Sequence, residues 1–154
     1  MAIEKVIRYF EKLGMSDRIK QFDVSSATVE LAAKALGCEG ARIAKTLSFL
    51  VDGGAVLIVT AGDMKVDNSK FKGFFHTKAK MLTPEQVDEL IGHSIGGVCP
   101  FAVNEDCKVY LDVSLKRFDI VYPAAGNAAS AVELTPAELE KYSNAIEWID
   151  VCKS

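Results

Sequence analysis

Residues 42–61 read Arg42-Ile43-Ala44-Lys45-Thr46-Leu47-Ser48-Phe49-Leu50-Val51-Asp52-Gly53-Gly54-Ala55-Val56-Leu57-Ile58-Val59-Thr60-Ala61. Residues 42–51 and 55–61 are β-branched or apolar, and Asp52-Gly53-Gly54 joins them with residues that tolerate positive φ, so the stretch predicts a β-hairpin. Working outward, Ile3, Val6, Ile7, Phe10 and Leu13 recur at helical spacing over residues 2–13, with Gly14 as a stop. Val29, Ala32, Ala33 and Leu36 do the same over 27–36, with Ser25 or Ser26 as cap and Gly37 behind. Residues 63–82 are basic and less periodic, and read as a short helix, a loop and a strand. Thr83-Pro84-Glu85 opens a helix that turns Val87, Leu90 and Ile91 inward. Residues 108–113 and 118–122 read as strands with a turn near 114–117, Thr135-Pro136-Ala137-Glu138 opens another helix, and 145–151 is a last strand or helical turn. Hairpin signals outweigh β-α-β alternation. The expected architecture is a single mixed α+β domain over 1–154, its sheet largely antiparallel and barrel-like, flanked by helices.

The composition narrows the function classes. The chain has 154 residues, 49% hydrophobic and 25% charged, with a formal net charge of −3. That supports a buried core and disfavours a general nucleic-acid coater, which would be basic. No helix-turn-helix with a basic recognition helix is visible, so no DNA partner is expected. The cysteines Cys38, Cys99, Cys107 and Cys152 form no C-x-x-C pair and no zinc spacing, and His76 and His93 add no ligand pattern, so neither metal nor cofactor is expected. The N-terminal MAIEKVIRYFEKLG has no apolar h-region, and the run Ala55–Ala61 is too short to span a bilayer. The expected setting is cytoplasmic, with reduced thiols and no membrane contact.

Parity in residues 43–51 places Ile43, Lys45, Leu47, Phe49 and Val51 on one face. Lys45 is then the one charge on an apolar face. An ammonium there needs a partner or a wet cavity, unless it snorkels to solvent from a strand end. Gly40-Ala41-Arg42-Ile43-Ala44-Lys45-Thr46 is no P-loop, because Ala44 replaces the glycine before the lysine and the order is loop to strand. The loop Gly92-His93-Ser94-Ile95-Gly96-Gly97-Val98-Cys99-Pro100-Phe101 either presents backbone N–H groups to an oxyanion or is a plain connector. Cys99 beside His93 lacks a third orienting group, so a buried structural thiol is the simpler reading than a nucleophile. Parity sets Tyr110, Asp112 and Ser114 on one face, where Asp112 can pair with Lys45 or bind a hydroxyl, or face solvent on an edge strand. The small-residue loop Ala124-Ala125-Gly126-Asn127-Ala128-Ala129-Ser130 either walls a compact pocket or is a turn. Lys65, Lys70, Lys72, Lys78 and Lys80 stand against Asp67 alone in 65–80, which suits a phosphate backbone or a solvated basic face.

Lys45-Thr46-Leu47, Gly96-Gly97-Val98-Cys99-Pro100-Phe101, Leu111-Asp112-Val113-Ser114-Leu115 and Ala124-Ala125-Gly126, in that order and spacing, resemble the YbaK/EbsC-type proteins. These are freestanding relatives of the editing insertion domain of bacterial prolyl-tRNA synthetase. The resemblance covers roughly residues 25–140. It implies an α/β barrel-like domain that hydrolyses the ester of mischarged aminoacyl-tRNA without a required metal. The family's lysine falls on Lys45 and its G-x-x-x-P loop on Gly96–Pro100, which makes Lys45, Gly96, Gly97 and Pro100 the catalytic candidates. Thr46, Val98, Cys99, Phe101, Asp112, Ser114 and Gly126 are the substrate-binding candidates. Thr46 after the lysine is as in the cysteine-specific branch, whereas Val98-Cys99-Pro100-Phe101 is closer to members of other specificity. The implied partners are the acceptor end of a tRNA bearing Ala, Ser, Thr or Cys, and an aminoacyl-tRNA synthetase as a docking partner. The alternative is a noncatalytic tRNA- or synthetase-binding module of the same fold.

Overall fold

The structure, a computed structural model, describes residues 2–23, 28–93, 98–127 and 129–154. It begins with helix α1 (Ala2–Lys12), strand β1 (Ile19–Gln21) and helix α2 (Val29–Leu36). Strands β2 (Ile43–Val51), β3 (Gly54–Ala61) and β4 (Lys65–Val66) follow, then helix α3 (Asn68–Phe75) and a short helix α4 (Pro84–Gln86) that runs into a π turn (Val87–Ile91). Strand β5 (Lys108–Asp112) leads through a 3-10 turn (Val113–Arg117) to strands β6 (Tyr122–Pro123) and β7 (Ser130–Val132). Helix α5 (Pro136–Tyr142) and strands β8 (Trp148–Ile149) and β9 (Cys152–Lys153) complete it.

The hairpin forms as its turn residues require. Asp52 and Gly53 take φ of 51° and 80°, and β2 pairs antiparallel with β3 from Ala44↔Ala61 to Val51↔Gly54. This pair is the centre of a five-stranded sheet ordered β6-β2-β3-β5-β8. The sheet is mixed and flanked by helices, as expected, but its antiparallel share is confined to the hairpin. The pairings of β2 with β6, β3 with β5 and β5 with β8 are parallel. The chain between β3 and β5 carries α3 and α4 before it returns alongside, and such a crossover makes neighbours parallel. Two small two-stranded sheets, β1 with β7 and β4 with β9, hold the other antiparallel pairs. The described strands form an open sheet edged by β6 and β8, where a barrel-like closure was expected.

Helices and loops cover both faces of the sheet, so β3 is buried from Ala55 to Ala61 and reads as an apolar run interrupted by Thr60 alone. On one face Leu57, Val59 and Leu111 pack with Val6 and Phe10 of α1, Leu115 and Leu139. On the other, Phe49, Val56 and Ile58 pack with Phe71 of α3 and Val151. This corrects the idea that β2 has one inward face: Ala44 and Leu50 join the first cluster, Leu47 and Val51 the second. Lys45 is half-buried.

The helix starts follow their caps. Thr28, not Ser25 or Ser26, caps α2, its hydroxyl accepting from the Leu31 N–H at 3.1 Å, and Gly37 closes the helix at φ 68°. The two serines lie outside the described residues. Thr83 and Thr135 form capping boxes with Gln86 and Glu138. The expected strand 118–122 is shorter, with β6 beginning at Tyr122 and Val121 bridging to Leu134. No helix among the described residues is long and apolar enough to cross a membrane.

Candidate functional site

The site arises from an interruption in the sheet. Strand β6 pairs with β2 only at Ile43 and Ala44. Further along the same edge, the Leu50 N–H donates to the Lys80 carbonyl at 2.8 Å and the Leu82 N–H to the Ser48 carbonyl at 3.3 Å. Backbone groups along a strand alternate sides. Ala44, Ser48 and Leu50 therefore present theirs to this edge, and so does Thr46, which no strand among the described residues covers. The break opens a cavity of about 240 Å³ lined by Ala44, Lys45, Thr46 and Ser48 of β2. Val29 and Ala32 of α2, Met81 and Leu82, Val98, Tyr122, Ala124, Asn127 and Ser130 also line it.

Its polar groups divide into committed and uncommitted ones. The Ser130 hydroxyl accepts from the Ala125 N–H at 3.2 Å and donates to the Asn127 carbonyl at 3.4 Å. Asn127 Oδ1 accepts from the Ala129 N–H at 2.9 Å. The Tyr122 hydroxyl donates to Glu133 at 3.3 Å, and burial, with Glu133 adding, pushes the phenol's pKa up. By contrast, Thr46 Oγ1 is buried with no hydrogen-bond partner, a costly state for a hydroxyl unless a ligand completes it. Among the described residues Lys45 forms no ion pair. Asp63 is occupied by Arg117 through contacts of 2.6 and 3.1 Å. The Arg117 hydrogen bond holds the Asp63 carboxyl below its usual range, and Lys45 adds only a small attraction. Among the described residues, the lining has an ammonium, hydroxyls and amides, and no histidine, carboxylate or thiol.

The sequence candidates separate accordingly. Lys45, Thr46 and Val98 line the cavity. Gly96 and Gly97 lie outside the described residues. Pro100 borders a different cavity, with Tyr9 and Val103. Phe101 is fully buried and packs edge-on against Phe10 at 4.9 Å, far into the core. Cys99 is equally buried, its Sγ 3.5 Å from His93 Nε2. That nitrogen donates to the Phe101 carbonyl at 2.7 Å, so it cannot take the thiol's proton, and burial pushes the Cys99 thiol up to about 12. Asp112 is no solvent-facing residue of an edge strand. It is 1% exposed on the interior strand β5, and its oxygens accept from the Ser114 and Val151 N–H groups, each at 3.0 Å. Ser114 accepts from the Ala61 N–H at 3.2 Å. Both act as staples between elements and neither lines the cavity. Gly126, at φ 103°, shapes the loop that brings Asn127 to the cavity without lining it. The small-residue loop, read as the wall of a compact pocket or a turn, brings Ala124, Asn127 and Ser130 to the lining, whereas Ser48 and α2 escaped the sequence reading because their approach depends on tertiary contacts rather than local pattern. Among the described residues no three His, Cys, Asp or Glu side chains gather as a metal site.

The thiols give a direct test. Burial pushes Cys99, Cys107 and Cys152 up to about 12, and Cys38 is the one half-buried cysteine. Native protein treated with iodoacetamide at neutral pH is expected to take up no more than one equivalent, at Cys38, and to keep its activity. Mass spectrometry finding modification at Cys99, with activity lost in step, would restore a thiol nucleophile.

The sequence profile of the aminoacyl-tRNA editing domain family matches residues 24–142. A Bacillus subtilis protein, YwhH, is 51% identical over 154 residues, covering 99% of this chain and 98% of that one. A protein of Enterococcus faecalis described as a Cys-tRNA(Pro)/Cys-tRNA(Cys) deacylase, EbsC, is 27% identical, covering 76% of this chain and 73% of its own. A crystal structure described as a trans-editing enzyme for prolyl tRNA synthetase superposes with a TM-score of 0.89 at 30% identity, over 99% of this chain and 98% of that one. The profile and the superposed structure thus define the class, that of the aminoacyl-tRNA editing and deacylase proteins. The chain belongs to the aminoacyl-tRNA editing domain family.

Proposed function

We propose that the chain frees tRNA of a wrongly attached small amino acid, with tRNA(Pro) as its first substrate, acting in trans to prolyl-tRNA synthetase in the cytoplasm. The observation that carries this reading is the pairing, among the described residues, of an ammonium without an ion pair and a buried hydroxyl without a partner at one break in the sheet. Such a site is incomplete until a ligand enters. The terminal adenosine with its aminoacyl group, Ala, Ser, Thr or Cys, enters the cavity of about 240 Å³, and bulkier groups are turned away by clash with its walls. Thr46 Oγ1 accepts from the substrate's α-ammonium or from a side-chain hydroxyl or thiol.

In the reaction a water oxygen bonds to the ester carbonyl carbon, the bond from that carbon to the ribose oxygen breaks, and the ribose oxygen leaves with a proton as the free hydroxyl. Charge gathers on the carbonyl oxygen in the transition state. Lys45 lies where it can hold that charge or the neighbouring phosphate. With no histidine, carboxylate or thiol among the described lining residues, no protein base or nucleophile is assigned. Orientation and charge stabilisation supply the rate, which an activated ester permits.

The test is a deacylation panel. Wild-type protein is incubated with tRNA(Pro) charged with Ala, Ser, Thr, Cys or Pro. Loss of one or two small-residue esters, with Pro-tRNA(Pro) left intact, is the expected result. Binding of every charged tRNA without hydrolysis above the spontaneous rate would replace the enzyme by a binding module.

A further inference from the structure

The chain carries a net charge of −3, yet 65–80 holds Lys65, Lys70, Lys72, Lys78 and Lys80 against Asp67 alone. The fold sorts these lysines. Lys70 is committed, donating to Asp150 at 3.1 Å and to the Cys152 carbonyl at 2.9 Å. Lys65 stands opposite Lys153 in the β4–β9 ladder. Lys72 and Lys78 line one surface groove of about 380 Å³ with Asn68, Ser69 and Ala79. No acidic side chain lines that groove, and among the described residues neither lysine has an ion pair. Asp67, the nearest acid in sequence, is occupied as the cap of α3, accepting from the Ser69 and Lys70 N–H groups at 2.9 and 3.1 Å. Two ammonium groups sharing a groove without a counter-charge repel each other, and an anion between them relieves the repulsion.

The groove and the cavity are lined by neighbouring residues of one segment, Lys78 and Ala79 for the groove, Met81 and Leu82 for the cavity. Lys78 is three residues from Met81, at most about 11 Å of extended chain, and Met81 lines the cavity with Lys45. Lys80 falls between, in the segment that pairs with β2. We infer that the groove docks the sugar-phosphate backbone of the RNA strand whose 3′ end enters the cavity. Lys72 and Lys78 each meet a phosphate, and the Asn68 amide and Ser69 hydroxyl hydrogen-bond beside them. The inference rests on the reading of the cavity as the place of the acceptor end. It accounts for how a chain with a net negative charge holds a polyanion: through one local patch that leads to the site.

The probe is uncharged tRNA(Pro), so binding is measured apart from hydrolysis. Fluorescence anisotropy across a range of salt compares wild type, the double variant Lys72→Gln/Lys78→Gln, and a control, Lys12→Gln/Lys20→Gln, with the same charge change elsewhere. Each phosphate contact contributes about 0.7–0.9 to the slope of log affinity against log salt. The groove variant is expected to lose about 1.4–1.8 in slope and about tenfold or more in affinity at 0.1 M salt, with its melting temperature unchanged. It is also expected to deacylate a short aminoacyl-adenosine ester like wild type. Equal affinity and slope for groove variant and control would overturn the inference, as would wild type without salt-dependent binding. Failure of the deacylation panel while the groove variant loses tRNA binding would instead sink the catalytic reading and leave the groove standing.

Discussion

Lys45→Ala is expected to deacylate its substrate about 100- to 1,000-fold more slowly than wild type, the size of effect seen when one group that stabilises a developing oxyanion is removed. The loss should fall on kcat, because an interaction made only in the transition state lowers kcat and kcat/KM together. A role confined to holding the terminal phosphate would instead raise KM and spare kcat. Single-turnover deacylation at saturating protein separates the two. Stability provides the control. Lys45 has no ion pair among the described residues, so its removal should shift the unfolding free energy by no more than about 0.5 kcal/mol. A variant that hydrolyses as fast as wild type would remove Lys45 from the chemistry.

Asp112→Ala should produce the opposite profile. Its carboxylate is buried and joins two backbone N–H groups that belong to separate elements, the 3-10 turn at Ser114 and the C-terminal segment at Val151. Truncation strands both donors in the interior, at about 1–3 kcal/mol each. A loss of about 2–6 kcal/mol is therefore expected, with melting lowered by about 2–4 °C for each kcal/mol. Asp112→Asn keeps one acceptor and should recover part of this. Below its melting point the Ala variant should still hydrolyse at the wild-type rate per folded molecule, because Asp112 does not line the cavity. Thermal melting beside kcat decides the matter, and a stable but inactive variant would return Asp112 to the substrate.

The hairpin, the capping threonines and the place of Lys45-Thr46 in the first hairpin strand were legible because each is encoded within a few neighbouring residues. Asp52-Gly53 demands the turn, and Thr83 and Thr135 each precede a proline and a side chain three positions later that closes the box. Parity misled where it assumed one buried face, since the opposite face of β2, with Ala44 and Leu50, packs into the cluster that holds Val6 and Phe10 of α1. Three-residue strands such as β1 and β7 show no alternation to read. The cavity itself was out of reach. It exists because β6 stops at Pro123 and segment 80–82 takes up the edge later, and no local pattern records where one partner ends and another begins. The same holds for Asp112 and Cys99, residues that resemble site chemistry by type and are spent on structure by placement.

Among the described residues no strand covers the edge at Thr46, and this also bears on self-association. A bare strand edge is a template on which another chain can add a strand, the usual start of aggregation. Here Pro123 bounds the opening on one side and the Leu82–Ser48 bond on the other, which leaves a vacancy shorter than an ordinary strand of about five residues. A pocket-sized notch admits a ligand and cannot seat a β-strand. Among the described residues, main-chain hydrogen-bonding groups are thus left open to a substrate without being offered to a copy of the chain.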